Sequence, residues 1–169
     1  ESLNLNASIA YIDATIESFE GAQCYSGQTP EEGCMIGAGL GGVDIQNLNG
    51  KDLNNSPDLK YSLGAYWEEA ASGRSFNYFA QANYQWQDDV NYDLYGNPLS
   101  DQSAYGIANV SFGIVESQNH SYKLTFFVNN LFDQSYSLGY TDSSARLGGL
   151  TALGKQWTRG AMRYMGVNF

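Results

Sequence analysis

The chain has 169 residues with 18 Asp+Glu against 8 Lys+Arg, a formal net charge of −10. That length suits one domain, and the scattered cations exclude nucleic-acid binding, because phosphate attachment needs clustered Lys and Arg. No run of about 18 apolar residues occurs, which excludes a helical membrane span, while 13 Tyr, 8 Phe and 19 Gly beside only 15% charged residues favour strand over helix and give an all-β fold class.

Period-two alternation marks half-buried strands, and six segments show it. The first places Leu3, Leu5, Ala7, Ile9 and Tyr11 on one face and Ser2, Asn4, Asn6 and Ser8 on the other, with a predicted continuation to about Phe19. The second sets Leu59, Tyr61, Leu63, Ala65 and Trp67 against Lys60, Ser62, Gly64 and Glu68, with Tyr66 as a bulky exception. In the third, Phe76, Tyr78, Ala80, Ala82, Tyr84 and Trp86 alternate with Asn77, Gln81, Asn83, Gln85 and Gln87, and Phe79 alone breaks the rule. The fourth runs Gly106, Ala108, Val110, Phe112 and Ile114, the fifth Tyr122, Leu124, Phe126 and Val128, and the sixth Ala161, Met165, Val167 and Phe169.

The links between segments alternate in length. Long ones occupy residues 20–56, 88–103 and 132–155, and tight ones residues 71–74 and 116–121. A soluble sandwich has no reason to gather its long loops at one end, whereas an outer-membrane barrel has short periplasmic turns and long extracellular loops. The pattern therefore predicts an antiparallel transmembrane β-barrel with those three loops extracellular and the C-terminus periplasmic. In hydrocarbon every backbone N–H and C=O must be paired within the protein, so a chain without apolar helices crosses only as a closed sheet. Trp67, Phe76, Tyr78, Tyr84, Trp86 and Tyr122 are then expected at the membrane interfaces, and the Asn/Gln face toward a wet lumen. Six strands cannot close a barrel, since the smallest use eight. Residues 1–169 are therefore expected to be the C-terminal part of a larger protein.

Particular residues resemble a known family. Ala10-Tyr11-Ile12-Asp13-Ala14, Cys24-Tyr25-Ser26-Gly27-Gln28-Thr29 with Cys34, Leu48-Asn49-Gly50-Lys51-Asp52-Leu53 before Ser56-Pro57, and Gln102-Ser103-Ala104-Tyr105-Gly106 look like the later barrel strands of TonB-dependent receptors. Val128-Asn129-Asn130-Leu131-Phe132-Asp133-Gln134-Ser135-Tyr136 is similar to that family's penultimate-strand pattern. The resemblance implies a 22-strand barrel whose plug domain is not in this chain. It also implies TonB as the energy source and a ferric siderophore, cobalamin or glycan as ligand. Phe169, with Met165 and Val167 before it, resembles the terminal signal read by the barrel-assembly machinery, although Tyr164 stands where that signal usually has Gly and Thr158-Arg159 where the family often has Pro-Arg. Strict alternation from Phe169 puts Arg163 on the lipid face near mid-membrane, at a cost of about 2–4 kcal/mol. The rival readings are a passive porin or other outer-membrane barrel, and a soluble secreted β-sandwich that binds carbohydrate on its aromatic face.

Cys24 and Cys34, close together in an exported protein, are expected to form a disulfide. Asp89, Asn91 and Asp93 imitate the start of a calcium loop, but Leu94 replaces its Gly and Ser100 its bidentate Glu. His120 falls in a tight turn without catalytic company, Gly37-Ala38-Gly39-Leu40-Gly41-Gly42 lacks the strand-helix setting of a dinucleotide site, and no Gly-x-Ser-x-Gly elbow occurs. No enzyme activity, metal or cofactor is expected.

Overall fold

The computed structural model describes residues 3–143 and 152–169. Ser2, placed above on the polar face, and residues 144–151 of the third long loop lie outside the described residues. Among the described residues there is no α-helix, and the strands are β1 (Leu3–Tyr11), β2 (Ala22–Gln23), β3 (Ile45–Gln46), β4 (Leu59–Ala70), β5 (Phe76–Gln87), β6 (Val90–Asn91), β7 (Asp101–Gln102), β8 (Tyr105–Glu116), β9 (Lys123–Asn129), β10 (Ser137–Asp142), β11 (Leu153–Trp157) and β12 (Tyr164–Asn168). Six of them form one antiparallel sheet in the order β1-β4-β5-β8-β9-β12. The other six pair within the long connections, as β2-β3, β6-β7 and β10-β11.

Register joins the alternating residues of each strand into rows across the sheet. Leu5, Ala65, Ala82, Val110, Val128 and Met165 make one apolar row, and Leu3, Trp67, Ala80, Phe112, Phe126 and Val167 the next. Nothing among the described residues packs over this face. Phe112 is 56% exposed and Phe126 43%, although their rings stack at 5.6 Å. The buried apolar residues are few and mostly small, and Phe79 is the one large ring among them. The sheet is thus a single layer without the second sheet that a sandwich needs to cover its apolar face.

The two exceptions to alternation, Tyr66 and Phe79, meet on the polar face. Their rings stack with centroids 6.2 Å apart, and the Lys123 ammonium lies 3.9 Å from the Phe79 centroid. Phe79 stands opposite Gly113, where a Cβ would strike the Leu124 carbonyl and come within 3.1 Å of the ring. A ring laid across a facing glycine covers backbone that no side chain can. Phe127 repeats the device over Gly166, its register partner, where a Cβ would come within 2.8 Å of the ring. Around the first pair, the Glu68 carboxylate accepts from the Tyr66 hydroxyl and from Asn77 Nδ2 at 2.7 Å. His120 Nε2 lies 3.6 Å from Glu68 Oε1.

Three expectations need correction. β1 ends at Tyr11 rather than Phe19 because the next apolar-face position is Asp13. Beyond it the chain runs on irregularly beside the segment before β4, with Ile12 N–H donating to Asp58 O at 2.9 Å and Ile16 N–H to Lys51 O at 2.8 Å. The link 132–155 is not plain loop, since β10 and β11 form a hairpin inside it. The last wall strand is only five residues long. Ala161, expected on its apolar face, is buried in a 3-10 turn (Arg159–Ala161), and Arg163 precedes β12 with its N–H on Asp133 Oδ1 at 2.8 Å. That contact holds Arg163 among the loop-end residues, beyond the strand rather than in the middle of it.

Candidate ligand-facing site

The long connections all leave the sheet at one end, and hydrogen bonds fuse them into a platform. In the first, Cys24 and Cys34 are joined by a disulfide beside a 3-10 turn (Pro30–Glu32). Glu32 Oε2 accepts the Thr29 N–H at 2.8 Å, which holds that carboxyl below the usual range. Burial, followed by the charge of Glu32, pushes the Tyr25 hydroxyl up. Gln46 is buried and donates from Nε2 to Gln23 O and to Tyr95 O, both at 2.9 Å, so the first connection is bound to the second.

The second connection is bound in turn to the third. The Tyr92 hydroxyl donates to Ser137 O at 3.0 Å, and Gln102 Oε1 accepts from both Ser137 N–H and Oγ at 2.9 Å. Within it, Asp93 Oδ2 accepts the Tyr95 and Asn97 N–H groups, each at 3.1 Å, and Asn91 Nδ2 donates to Asn97 O and Asp101 Oδ1. The carboxylate that imitates a calcium ligand is therefore occupied by backbone amides. Asp89 sits apart, its carboxyl raised by burial and then by Asp88. No cluster of three potential metal ligands exists among the described residues. Asn97, Ser100, Asn130 and Ser137 are all buried beside the apolar Ala22, Cys34, Leu48 and Val90, so directional bonds as well as apolar packing hold the interior of this platform.

Asn130 organises the border between platform and sheet. It takes a positive φ of 52°, accepts the Gln134 N–H on Oδ1 at 2.8 Å, and donates from Nδ2 to Gln134 O at 2.9 Å and Gly160 O at 3.1 Å. Asn109 Oδ1 holds its backbone N–H at 2.9 Å. This geometry turns the chain after β9, ties it to the approach to β12, and presents Tyr136 to Tyr105, whose rings stack at 4.4 Å and 16°.

Between platform and sheet lies a hollow of about 620 Å³, within the range of about 300–1,000 Å³ usual for small-molecule sites. Polar-face residues of the sheet, among them Ser62, Gln85, Gln87 and Asn129, make its floor, and Tyr105, Tyr136 and Tyr164 its wall. Ser8 and Ser62 share a hydroxyl hydrogen bond of 2.8 Å. Arg159 rests its guanidinium 4.7 Å from the Tyr164 ring.

Against family models, the chain matches the TonB dependent receptor-like β-barrel over residues 2–131. It belongs to that family. Searches of the curated proteins and of the solved structures gave no match. The TonB-dependent receptor family is one of outer-membrane transport, not of enzymes.

The residues singled out in the sequence for interface or assembly roles fall on or beside the strands as follows. Phe76 and Tyr78 sit edge to face near the turn end of β5. Trp86 stacks on Tyr61 at 5.3 Å near the loop end of that strand, with Tyr84 beside Tyr61. Trp67 and Tyr122 are exposed. Met165, Val167 and Phe169 are also exposed, with Met165 and Val167 paired to the apolar-face residues Val128 and Phe126. Parity marked Tyr66 and Phe79 as exceptions but passed over Phe127, and the structure adds what the three rings do on the polar face: Tyr66 stacks on Phe79, and Phe79 and Phe127 cover Gly113 and Gly166. A large ring at a polar-face position is the signal that finds them.

Proposed function

We propose that this chain is the C-terminal barrel wall of an outer-membrane active-transport receptor, energised by TonB through a plug domain outside the chain, that imports a scarce small-molecule or glycan ligand. The observation that carries the reading is the uncovered apolar face of six antiparallel strands in a chain of this family. Exposed patches of that extent aggregate in water and are stable against acyl chains. The sheet also has an open edge at β1 and another at β12, and hydrocarbon tolerates no unpaired edge, so further strands are needed to close it into the 22-strand barrel. In this orientation the tight turns and C-terminus face the periplasm, where the terminal Met165, Val167 and Phe169 suit recognition by the assembly machinery. The platform and hollow then face outward.

The test is uptake by cells carrying the full-length gene product as their only route for a candidate ligand. Active transport stops when TonB is deleted or the proton-motive force is collapsed. Uptake that continues unchanged under both treatments would make the protein a passive porin, and recovery of the full-length protein in the detergent-free soluble fraction would make it a secreted sandwich.

A further inference from the structure

We propose that the hollow under the platform is a subsite for a neutral polyhydroxylated ligand, an oligosaccharide segment rather than an anionic metal chelate, a reading that rests on the receptor function above. Charge is the first argument. Among the described residues the hollow has Lys60 as its only lining cation and no lining carboxylate, while the nearby Arg159 faces the Tyr164 ring. A polyanion buried there would lack, among the described residues, the several cations that offset desolvation. A cationic ligand would find no acidic partner among the described lining residues.

Hydrogen-bonding capacity is the second argument. Asn109 and Asn130 are committed to backbone, but no partner among the described residues takes the side chains of Gln85, Gln87 or Asn129. Each amide offers two donors and an acceptor to the hollow, a set that matches vicinal hydroxyls. The third argument is shape. The stacked Tyr105 and Tyr136 rings give a flat apolar wall on which the C–H face of a sugar ring can rest.

The experiment uses the full-length receptor purified in detergent, titrated calorimetrically with neutral malto-, xylo-, cello- and laminari-hexaose, with a galacturonate hexamer and a ferric tris-catecholate as anionic probes. One neutral series is expected to bind. Tyr105→Ala and Gln85→Ala should each weaken it about tenfold or more, Tyr105→Phe, which keeps the ring, by less than about threefold, and added salt should change little. The heat-dependent gel mobility of each variant shows whether its barrel has folded. Absence of binding to all four neutral series overturns the proposal. So does tight binding of an anionic probe that Lys60→Met abolishes. TonB-dependent uptake of the ferric probe would overturn this subsite and leave the receptor reading standing, whereas TonB-independent uptake removes that reading itself.

Discussion

The substitution Ala82→Arg isolates the claim that the apolar face meets lipid. From Phe76 to Trp86, the aromatic pair that brackets β5, the strand advances ten steps of about 3.4 Å. At a tilt of about 45° that is a rise of about 24 Å, close to the apolar band of about 25 Å in outer-membrane barrels. Ala82 lies within one residue of the midpoint, on the outward row with Ala65 and Val110, and it is exposed, so an arginine there clashes with nothing and pays only for its charge. At mid-membrane that cost is about 2–4 kcal/mol, a factor of roughly 30 to 1,000 in the folding equilibrium. The neighbouring Gln81→Arg puts the same side chain at the same depth on the polar face, opposite Tyr66 and Ser111, where the expected cost is under about 1 kcal/mol. Guanidinium unfolding of the full-length protein in phosphatidylcholine vesicles, followed by tryptophan fluorescence, reads both. Equal penalties, or a larger one at Gln81, would refute the lipid-facing assignment.

Removing the ring that covers Gly113, by Phe79→Ala, is expected to cost about 3–5 kcal/mol in the same titration, as for other buried rings, and Lys123→Met should recover little of it. Asn130→Ala leaves the Gly160 and Gln134 groups without their partner and should lower stability by about 2–4 kcal/mol, with amide exchange rising first around residues 130–136. The Cys24–Cys34 bond closes a loop of separation 10, and its reduction removes about 2–3 kcal/mol in the chain-entropy account. Faster proteolysis confined to residues 20–56, with the sheet intact, is the expected readout. The carboxyl of Glu32 is held below its usual value by the Thr29 N–H, so its contribution is complete above the unfolded carboxylate value of about 4.5 and fades as pH falls through the lower folded one. Protection of the amides of the first long connection, taken relative to their intrinsic exchange rates, should therefore fall as pH drops below the ordinary carboxylate value, and Glu32→Gln should flatten that dependence.

The wall was legible because each strand carries a two-residue rhythm, and the clearest rhythm, in β5, gave bounds that the structure repeats from Phe76 to Gln87. The connections were legible only in length. Their folding depends on single long-range bonds, such as Gln46 to Tyr95 O and Tyr92 to Ser137 O, which join residues more than forty positions apart and leave no periodic trace. Arg163 shows the same limit. Counting back from Phe169 gives its side of the sheet, but Asp133, which fixes where β12 begins, lies thirty residues upstream. Tyr66 and Phe79 stood out in the pattern as separate anomalies, and only their register across β4 and β5 makes them neighbours.

The rings laid over Gly113 and Gly166 also act as alignment marks while the strands zip together. A slip of two positions between β9 and β12 would keep every apolar residue on its own side, so lipid would not notice the mistake. It would, however, drive Phe127 onto Tyr164 or Asn168, whose β-carbons occupy the space that Gly166 leaves empty. Threading errors that the oily surface cannot detect are thereby rejected from within.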